Sequence, residues 1–127
     1  MAHGIILFGH GARDARWKAP FERLEALLTQ AHPGPVSLAF LELMDPDLPA
    51  AIDSQVAQGC DRITVIPVFF GQGGHVRRDL PEIVERCRVS HPQVDIRCTG
   101  AAGEDEGVLA AVLAFCLEQT RGAAPKV

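Results

Sequence analysis

The chain has 127 residues, of which 47% are apolar and 22% charged, and its formal net charge is −4. This length suits one compact domain, and the apolar content is enough to bury about two-thirds of the unfolded surface without a disulfide or a structural metal. The acidic balance argues against a general nucleic-acid binder and against a protein of the membrane surface.

In chain order, continuous apolar runs alternate with stretches of helical spacing. The runs predict strands over residues 4–9, 36–41, 62–67 and 94–98. Between them the spacing predicts a helix over 18–31, a second from Leu48 to a stop at Gly59, and a third that starts at Asp79. The start of this third helix is predicted from the capping-box pattern Asp79-Leu-Pro-Glu82. A last helix covers about residues 105–121, and we expect its apolar residues, Phe115 among them, to lie in the core.

Strands that alternate with helices four times predict right-handed βαβ units and an open parallel sheet with helices on both faces. We therefore predict an α/β fold of the flavodoxin-like, three-layer type with strand order 2-1-3-4. Ligands of such sheets bind at the carboxyl ends of the strands near the switch between strands 1 and 3. Function is thus expected in the loops that follow Phe8, Leu41 and Pro67.

Residues 122–127 are small and polar, so we expect a disordered tail behind a single domain over residues 1–121. No apolar run is long enough for a membrane span, and no signal-peptide pattern is present, so a cytoplasmic protein without membrane association is predicted. The cysteines lie far apart, without zinc-finger spacing, and are interpreted as small buried hydrophobic residues of a reduced protein. They are Cys60, Cys87, Cys98 and Cys116.

Each of the three loops carries one side chain of metal-ligand type, namely His10, Glu42 and His75. Neighbouring strands lie about 4.8 Å apart, so in the order 2-1-3 the outer two loops start roughly 10 Å apart. Two imidazoles and a carboxylate could therefore converge on one ion. Taken singly, His10 also fits a hydrogen-bonded turn residue, and Glu42 also fits a solvated loop acid. Glycines around both histidines favour the functional interpretation, because they leave the imidazoles exposed.

Basic side chains surround the same crevice in an otherwise acidic protein. They form either a solvated rim or a recognition surface for a polycarboxylate or phosphate ligand, helped by the predicted helix start at Asp79. The basic residues are Arg13, Arg16, Lys18, Arg77 and Arg78. Apolar walls for a large flat ligand would come from Leu41, Leu43, Met44, Phe69 and Phe70.

Three segments in this order resemble the small sirohydrochlorin chelatases, a class II chelatase family of the CbiX and SirB type. They are Gly9-His10-Gly11-Ala12-Arg13, Phe40-Leu41-Glu42-Leu43 followed by Pro46, and Val65–Phe70 leading to Gly74-His75-Val76 and Asp79-Leu80-Pro81. The similarity runs from about residue 4 to 120. It implies insertion of Co²⁺ or Fe²⁺ into the tetrapyrrole sirohydrochlorin, for cobalamin or siroheme synthesis.

The resemblance also implies that His10 and His75 bind the metal and that Glu42 assists catalysis. We expect the substrate to contact Arg13, Leu43, Met44, Gly73, Gly74, Arg77 and Arg78. No tightly bound cofactor is expected, and the imidazole ligands would also suit Ni²⁺ as the substrate metal. Single-domain members look like half of the two-lobed chelatases, so a homodimer is expected, with Leu43, Met44, Phe69, Phe70 and the last helix as apolar candidates for its contact.

Two other function classes fit parts of the same sequence. A histidine phosphatase would need an arginine directly before the nucleophilic histidine, where this chain has Gly9. A metal or tetrapyrrole carrier that binds through the same residues without turnover remains open from the sequence.

Overall fold

The computed structural model describes residues 2–121, in which four parallel strands alternate with four α-helices. The strands are β1 (Ala2–Gly9), β2 (Val36–Phe40), β3 (Cys60–Pro67) and β4 (Asp95–Cys98). The helices are α1 (Ala19–Ala31), α2 (Leu48–Ala57), α3 (Gly74–Ser90) and α4 (Glu106–Thr120). Short 3-10 turns, Ala15–Lys18 and Ala102–Glu104, precede α1 and α4. The predicted tail, residues 122–127, lies outside the described residues.

The sheet has the strand order 2-1-3-4 and is parallel throughout, which confirms the predicted topology. At the end of β1, Phe8 lies opposite Ala39 of β2 and Pro67 of β3. Pairing continues past the strands, because Leu41 N–H donates to the Gly9 carbonyl at 3.0 Å and Val68 N–H donates to the Phe8 carbonyl at 2.8 Å. The three loops after β1, β2 and β3 therefore start level with one another at one edge of the sheet.

Side chains alternate along β1 and so divide the core in two. Ile6 and Phe8 lie in the larger cluster, which α2 and α3 cover, whereas Leu7 lies in the smaller cluster with Phe21 and Phe40. The helix α1 packs over β1 and β2 on the side of the smaller cluster. No helix within residues 2–121 is both long and apolar enough to cross a membrane.

The third helix differs from its prediction. It begins at Gly74 rather than at Asp79, with Gly73 as its N-cap, and Pro81 lies inside it. Asp79 thus lies in the second turn, where its carboxylate contacts His75 instead of capping backbone N–H groups. The capping-box pattern was misleading because Asp79 pairs with His75 inside the helix and does not cap its start. Pro81 is exposed, where the loss of one backbone donor is met by water.

The predicted burial of the last helix is wrong. No residue of α4 is buried, and Leu113 and Phe115 are 59% and 65% exposed. Cys116, on the same helix, is exposed, whereas Cys60 and Cys87 are buried and Cys98 is half-buried. The cause is geometric: among the described helices and strands, α4 packs substantially only against the 3-10 turn that precedes it.

Truncation of Ile52 tests the position of the core. This side chain is fully buried in the larger cluster, so Ile52→Ala should lower the free energy of unfolding by about 2–5 kcal/mol through lost burial and a residual cavity. Val89 on α3 is 72% exposed. Val89→Ala should therefore change the free energy of unfolding by less than about 0.5 kcal/mol. Urea unfolding followed by circular dichroism measures both, and equal losses would contradict this core.

Candidate functional site

His10 and Glu42 meet at the carboxyl edge of the sheet. His10 directly follows the last residue of β1, and its carbonyl accepts a hydrogen bond from Glu42 N–H at 3.2 Å. Their side chains pair as well, with 3.1 Å between His10 Nε2 and Glu42 Oε1. Both side chains are about half exposed. The structure therefore brings this imidazole and this carboxylate together at a solvent-facing strand end.

Gly11 makes that approach possible. Its φ of 99° lies in the left-handed region, and a Cβ at this position would collide with the carbonyl oxygen of Glu42. Gly9 is similarly confined, since a Cβ there would lie 2.9 Å from ring atoms of Phe21. Gly11 thus lets the loop after β1 run against the loop after β2, and Gly9 lets Phe21 of α1 pack against the end of β1.

His75 lies on the third chain segment of this edge, but in the first turn of α3 rather than in a loop as predicted. Its Nε2 is 3.0 Å from Asp79 Oδ2, one helical turn further on. His75 and Glu42 line the same cavity of about 380 Å³. A second cavity of about 440 Å³ continues between α2 and α3 and shares Leu41, Ile83 and Arg86 with the first.

The candidate metal ligands and the carboxylates beside them form two separate pairs, not one cluster. Within residues 2–121, no three His, Cys, Asp or Glu side chains are close enough to hold a metal ion together. Instead, His10 pairs with Glu42 and His75 pairs with Asp79. A carboxylate hydrogen-bonded to an imidazole fixes the orientation of the ring and makes it a better electron-pair donor. The arrangement thus offers two oriented imidazoles at neighbouring strand ends, both open to solvent.

Three polar residues of the cavity were missed from the sequence: Asp79, Glu82 and Arg86. With His75 they follow the spacing i, i+4, i+7 and i+11, which places all four on one face of a helix. The sequence shows this pattern only if the helix is taken to start at Gly74. The predicted start at Asp79 placed His75 outside the helix, so the shared face of the four residues was not recognised.

Only part of the predicted basic rim is free of internal partners among the described residues. Arg16 pairs with Asp14 at 2.8 Å, and its hydrogen bond holds the pKa of the Asp14 carboxyl below its usual value. The Lys18 ammonium lies 5.5 Å from the centre of the Phe40 ring. Arg77 Nε donates to the Gln72 carbonyl at 3.0 Å, which anchors this arginine beside the glycine-rich loop. The exposed arginines of the rim are Arg13, Arg16, Arg77 and Arg78. Of these four, only Arg13 and Arg78 have no internal partner among the described residues, and only Arg16 is paired with a carboxylate.

The apolar residues predicted for the substrate wall divide into two groups. Met44 packs against the smaller core cluster and Phe69 against the larger one, so both serve the core. Leu43, which follows Glu42 in the loop after β2, is exposed, and so is Phe70, which packs against Gly103. Leu43 has a φ of 68°, a left-handed conformation that costs a non-glycine residue roughly 1–2 kcal/mol. Backbone strain of this kind persists only where the surrounding loop enforces it, and it is common at ligand-binding sites.

Gly73 and Gly74 lie at the start of α3, and no described atom lies within 4 Å of a Cβ built on either. The space above these two glycines is therefore open. A flat ligand could approach the helix start there without meeting a side chain.

Comparisons with known proteins match nearly the whole chain. A family model described as CbiX matches residues 4–118. The sirohydrochlorin cobaltochelatase of Methanothermobacter thermautotrophicus is 32% identical over 81 residues, which are 64% of this chain and 57% of that protein. The sirohydrochlorin ferrochelatase of Bacillus subtilis is 33% identical over 116 residues, which are 88% of this chain and 43% of that protein.

The fold has a solved counterpart as well. The crystal structure of a CbiX protein from Marinobacter aquaeolei superposes with a TM-score of 0.84 at 31% identity, over 95% of this chain and 99% of that one. The present chain thus spans about half the length of the two curated chelatases and nearly all of this solved structure. The family match includes all three segments that carry His10, Glu42 and His75.

Substitution of Gly11 tests how the site is built. Gly11→Ala should lower the free energy of unfolding by about 1–3 kcal/mol, because alanine is strained at this φ and its Cβ collides with the Glu42 carbonyl. Gly73→Ala is the matched control, since its φ is −70° and its surroundings are open; it should cost less than about 0.5 kcal/mol. Urea unfolding compares the two, and an equally tolerated Gly11→Ala would contradict the close approach of the two loops.

Proposed function

Because the chain belongs to the CbiX family, we propose that it is a chelatase that inserts a divalent metal, Co²⁺ or Fe²⁺, into sirohydrochlorin. The observation that carries this proposal is the placement of His10 and His75 at the carboxyl edge of one sheet, with Glu42 beside the first and in the cavity of the second. The names of the cobalt and iron chelatases among its relatives agree with it.

His10 and His75 are the proposed ligands of the incoming metal. Neutral imidazoles bind Co²⁺, Fe²⁺ and Ni²⁺ well, without the tight hold of thiolates, so the ion can leave for the macrocycle. The carboxylates of Glu42, Asp79 and Glu82 surround this position and attract a divalent cation. Asp79 is a positioning residue that orients the His75 ring.

Glu42 is the proposed proton acceptor. Insertion of a divalent metal releases the two protons carried by the pyrrole nitrogens, and each must pass to a base. The Glu42 carboxylate lies beside His10 and is half exposed, so it can take a proton from the macrocycle and pass it to water.

The substrate is proposed to lie across the glycine-rich start of α3. Sirohydrochlorin carries eight carboxylates, for which the exposed guanidinium groups of Arg13, Arg77 and Arg78 are suitable partners. The open space above Gly73 and Gly74 admits a flat ring. Leu43, which is exposed, and Met44, which packs on the smaller core cluster, are its proposed apolar contacts from the loop after β2.

One protomer offers a flat macrocycle only a single wall. A second copy of the chain is the proposed source of the opposite wall, as in a closed symmetric dimer. We place this enzyme in the cytoplasm and assign it to cobalamin or siroheme synthesis. A carrier that binds metal or tetrapyrrole without turnover is the competing function.

Steady-state metallation of sirohydrochlorin with Co²⁺ tests the proposal through its absorbance change. The wild-type protein should convert many equivalents of substrate per chain, whereas a carrier would stop at stoichiometric binding. His10→Ala and His75→Ala should each lose at least about nine-tenths of the rate. Both side chains are exposed, so circular dichroism should show unchanged folding. Near-normal rates in both variants would contradict the assignment of the metal ligands.

Glu42→Gln separates proton transfer from metal binding. The amide keeps an acceptor oxygen but cannot take up a proton, so kcat should fall by about 10²-fold or more while the dissociation constant for Co²⁺ changes less than about threefold. Single-turnover kinetics and a cobalt titration measure the two quantities. If metal affinity fell by the same factor as kcat, Glu42 would be a metal ligand instead.

A further inference from the structure

The cavity of about 440 Å³ between α2 and α3, here named the α2–α3 cavity, has no role in the proposed metal site. Neither His10 nor His75 lines it, and most of its walls are apolar, with Leu41, Leu48 and Ile83 among them. Its volume lies within the range of cavities that hold organic ligands and far exceeds the space that one metal ion fills. The α2–α3 cavity therefore suits part of an organic molecule that extends beyond the cavity of His75.

Both carboxylates of the α2–α3 cavity already have partners. Asp47 caps α2, since its carboxylate accepts a hydrogen bond from Ala50 N–H at 2.9 Å. Asp53, further along α2, lies 2.7 Å from Nε2 of His91 at the end of α3. These contacts leave Arg86 as the charged residue of this cavity that has no partner within residues 2–121.

Arg86 lies where the two cavities meet. It is exposed, and it lines both the α2–α3 cavity and the cavity of His75. In the cavity of His75, Glu42 and Asp79 are paired with histidines, so Glu82 is the remaining carboxylate there. Glu82 precedes Arg86 by one helical turn, and an exposed ion pair at this spacing would contribute little. The guanidinium is therefore available to an anionic group of a ligand.

The spacing along α3 sets the reach of Arg86. This residue stands at i+11 from His75, which places it about 16 Å further along the helix axis. Side chains of a helix tilt toward its N-terminus, so the arginine, about 6 Å long, points back toward His75. Its guanidinium then lies about 10 Å from the level of His75 along the axis.

A tetrapyrrole matches this reach. In a flat macrocycle with carboxylate-bearing arms, standard bond lengths place the carboxylates about 7–9 Å from the centre of the ring. A charge-assisted hydrogen bond to an arginine adds about 2.8 Å. A ring centred over a metal at His75 can therefore bring one arm to the guanidinium of Arg86.

We propose that Arg86 binds a peripheral carboxylate of the tetrapyrrole, and that the α2–α3 cavity receives the arm that carries it. The identity of this ligand rests on the proposed function. Methylene groups of the arm contact Leu48 and Ile83, while the guanidinium takes the carboxylate in a fork of two hydrogen bonds. Arg86 thereby orients the ring over His75 and selects tetrapyrroles with acidic arms over those with apolar arms.

Binding without metal tests the proposal, because it requires no turnover. Trp17 is the single tryptophan of the chain, and a bound tetrapyrrole quenches its emission, so a titration with sirohydrochlorin yields a dissociation constant. Arg86→Gln should raise this constant about tenfold, the loss expected for a hydrogen bond between charged groups. Arg86→Lys keeps the charge but not the fork, and should raise it about threefold. An unchanged constant in Arg86→Gln would overturn the proposal.

Arg62→Gln is the matched control. Arg62 is exposed near the amino end of β3, at the opposite edge of the sheet from the site, and its loss changes the net charge by the same amount. The dissociation constant should therefore change less than about twofold. Equal weakening in Arg62→Gln and Arg86→Gln would show an effect of net charge alone, and this too would refute the role of Arg86.

Steady-state metallation separates this proposal from the proposed function. Arg86 contacts an arm and not the reacting atoms, so Arg86→Gln should raise KM about tenfold and leave kcat within about twofold. If the wild type binds sirohydrochlorin without turnover, the chelatase function fails, and the titration still decides the role of Arg86. If the wild type turns over and Arg86→Gln has a normal KM and a normal dissociation constant, the chelatase function stands and the role of Arg86 is refuted.

Discussion

The level pairing of β1 with both of its neighbours is the constraint on which the site depends. Because β1 lies between β2 and β3 in parallel register, the loops after all three strands begin at one edge. Backbone hydrogen bonds continue that register beyond the strands and carry Glu42 to His10. Gly11 then allows a contact that any side chain at its position would block. A shift of one residue in β2 would turn its side chains to the opposite face and remove Glu42 from His10.

Charge is divided between two parts of the crevice. Three carboxylates and one guanidinium, that of Arg86, line the cavity of His75, so its lining is negative on balance. The exposed guanidinium groups of Arg13, Arg77 and Arg78 lie outside it. A divalent cation and a polycarboxylate would therefore be drawn to different places on one surface, which suits a reaction that joins them. The same carboxylates orient the two imidazoles, so electrostatic attraction and ligand geometry come from the same residues.

The sequence predicted those parts of the structure that local patterns determine. Apolar runs bounded by glycine and proline identified all four strands, and their alternation with helices predicted the strand order and the meeting of His10 with Glu42. The start of α3 was wrong because Asp79-Leu-Pro-Glu82 satisfies a capping rule equally well inside a helix that pairs Asp79 with His75. The exposure of α4 could not be predicted, because an apolar helix has the same sequence pattern whether its own chain or a second chain covers it.

The central claim is that His10 and His75 bind the same metal ion. X-ray absorption spectroscopy of the protein loaded with one equivalent of Co²⁺ tests it most directly, since imidazole rings give a characteristic multiple-scattering signal. The account predicts two imidazole ligands per cobalt in wild type and one in either His10→Ala or His75→Ala. A spectrum with oxygen ligands only, or one that keeps two imidazoles in either variant, would contradict it.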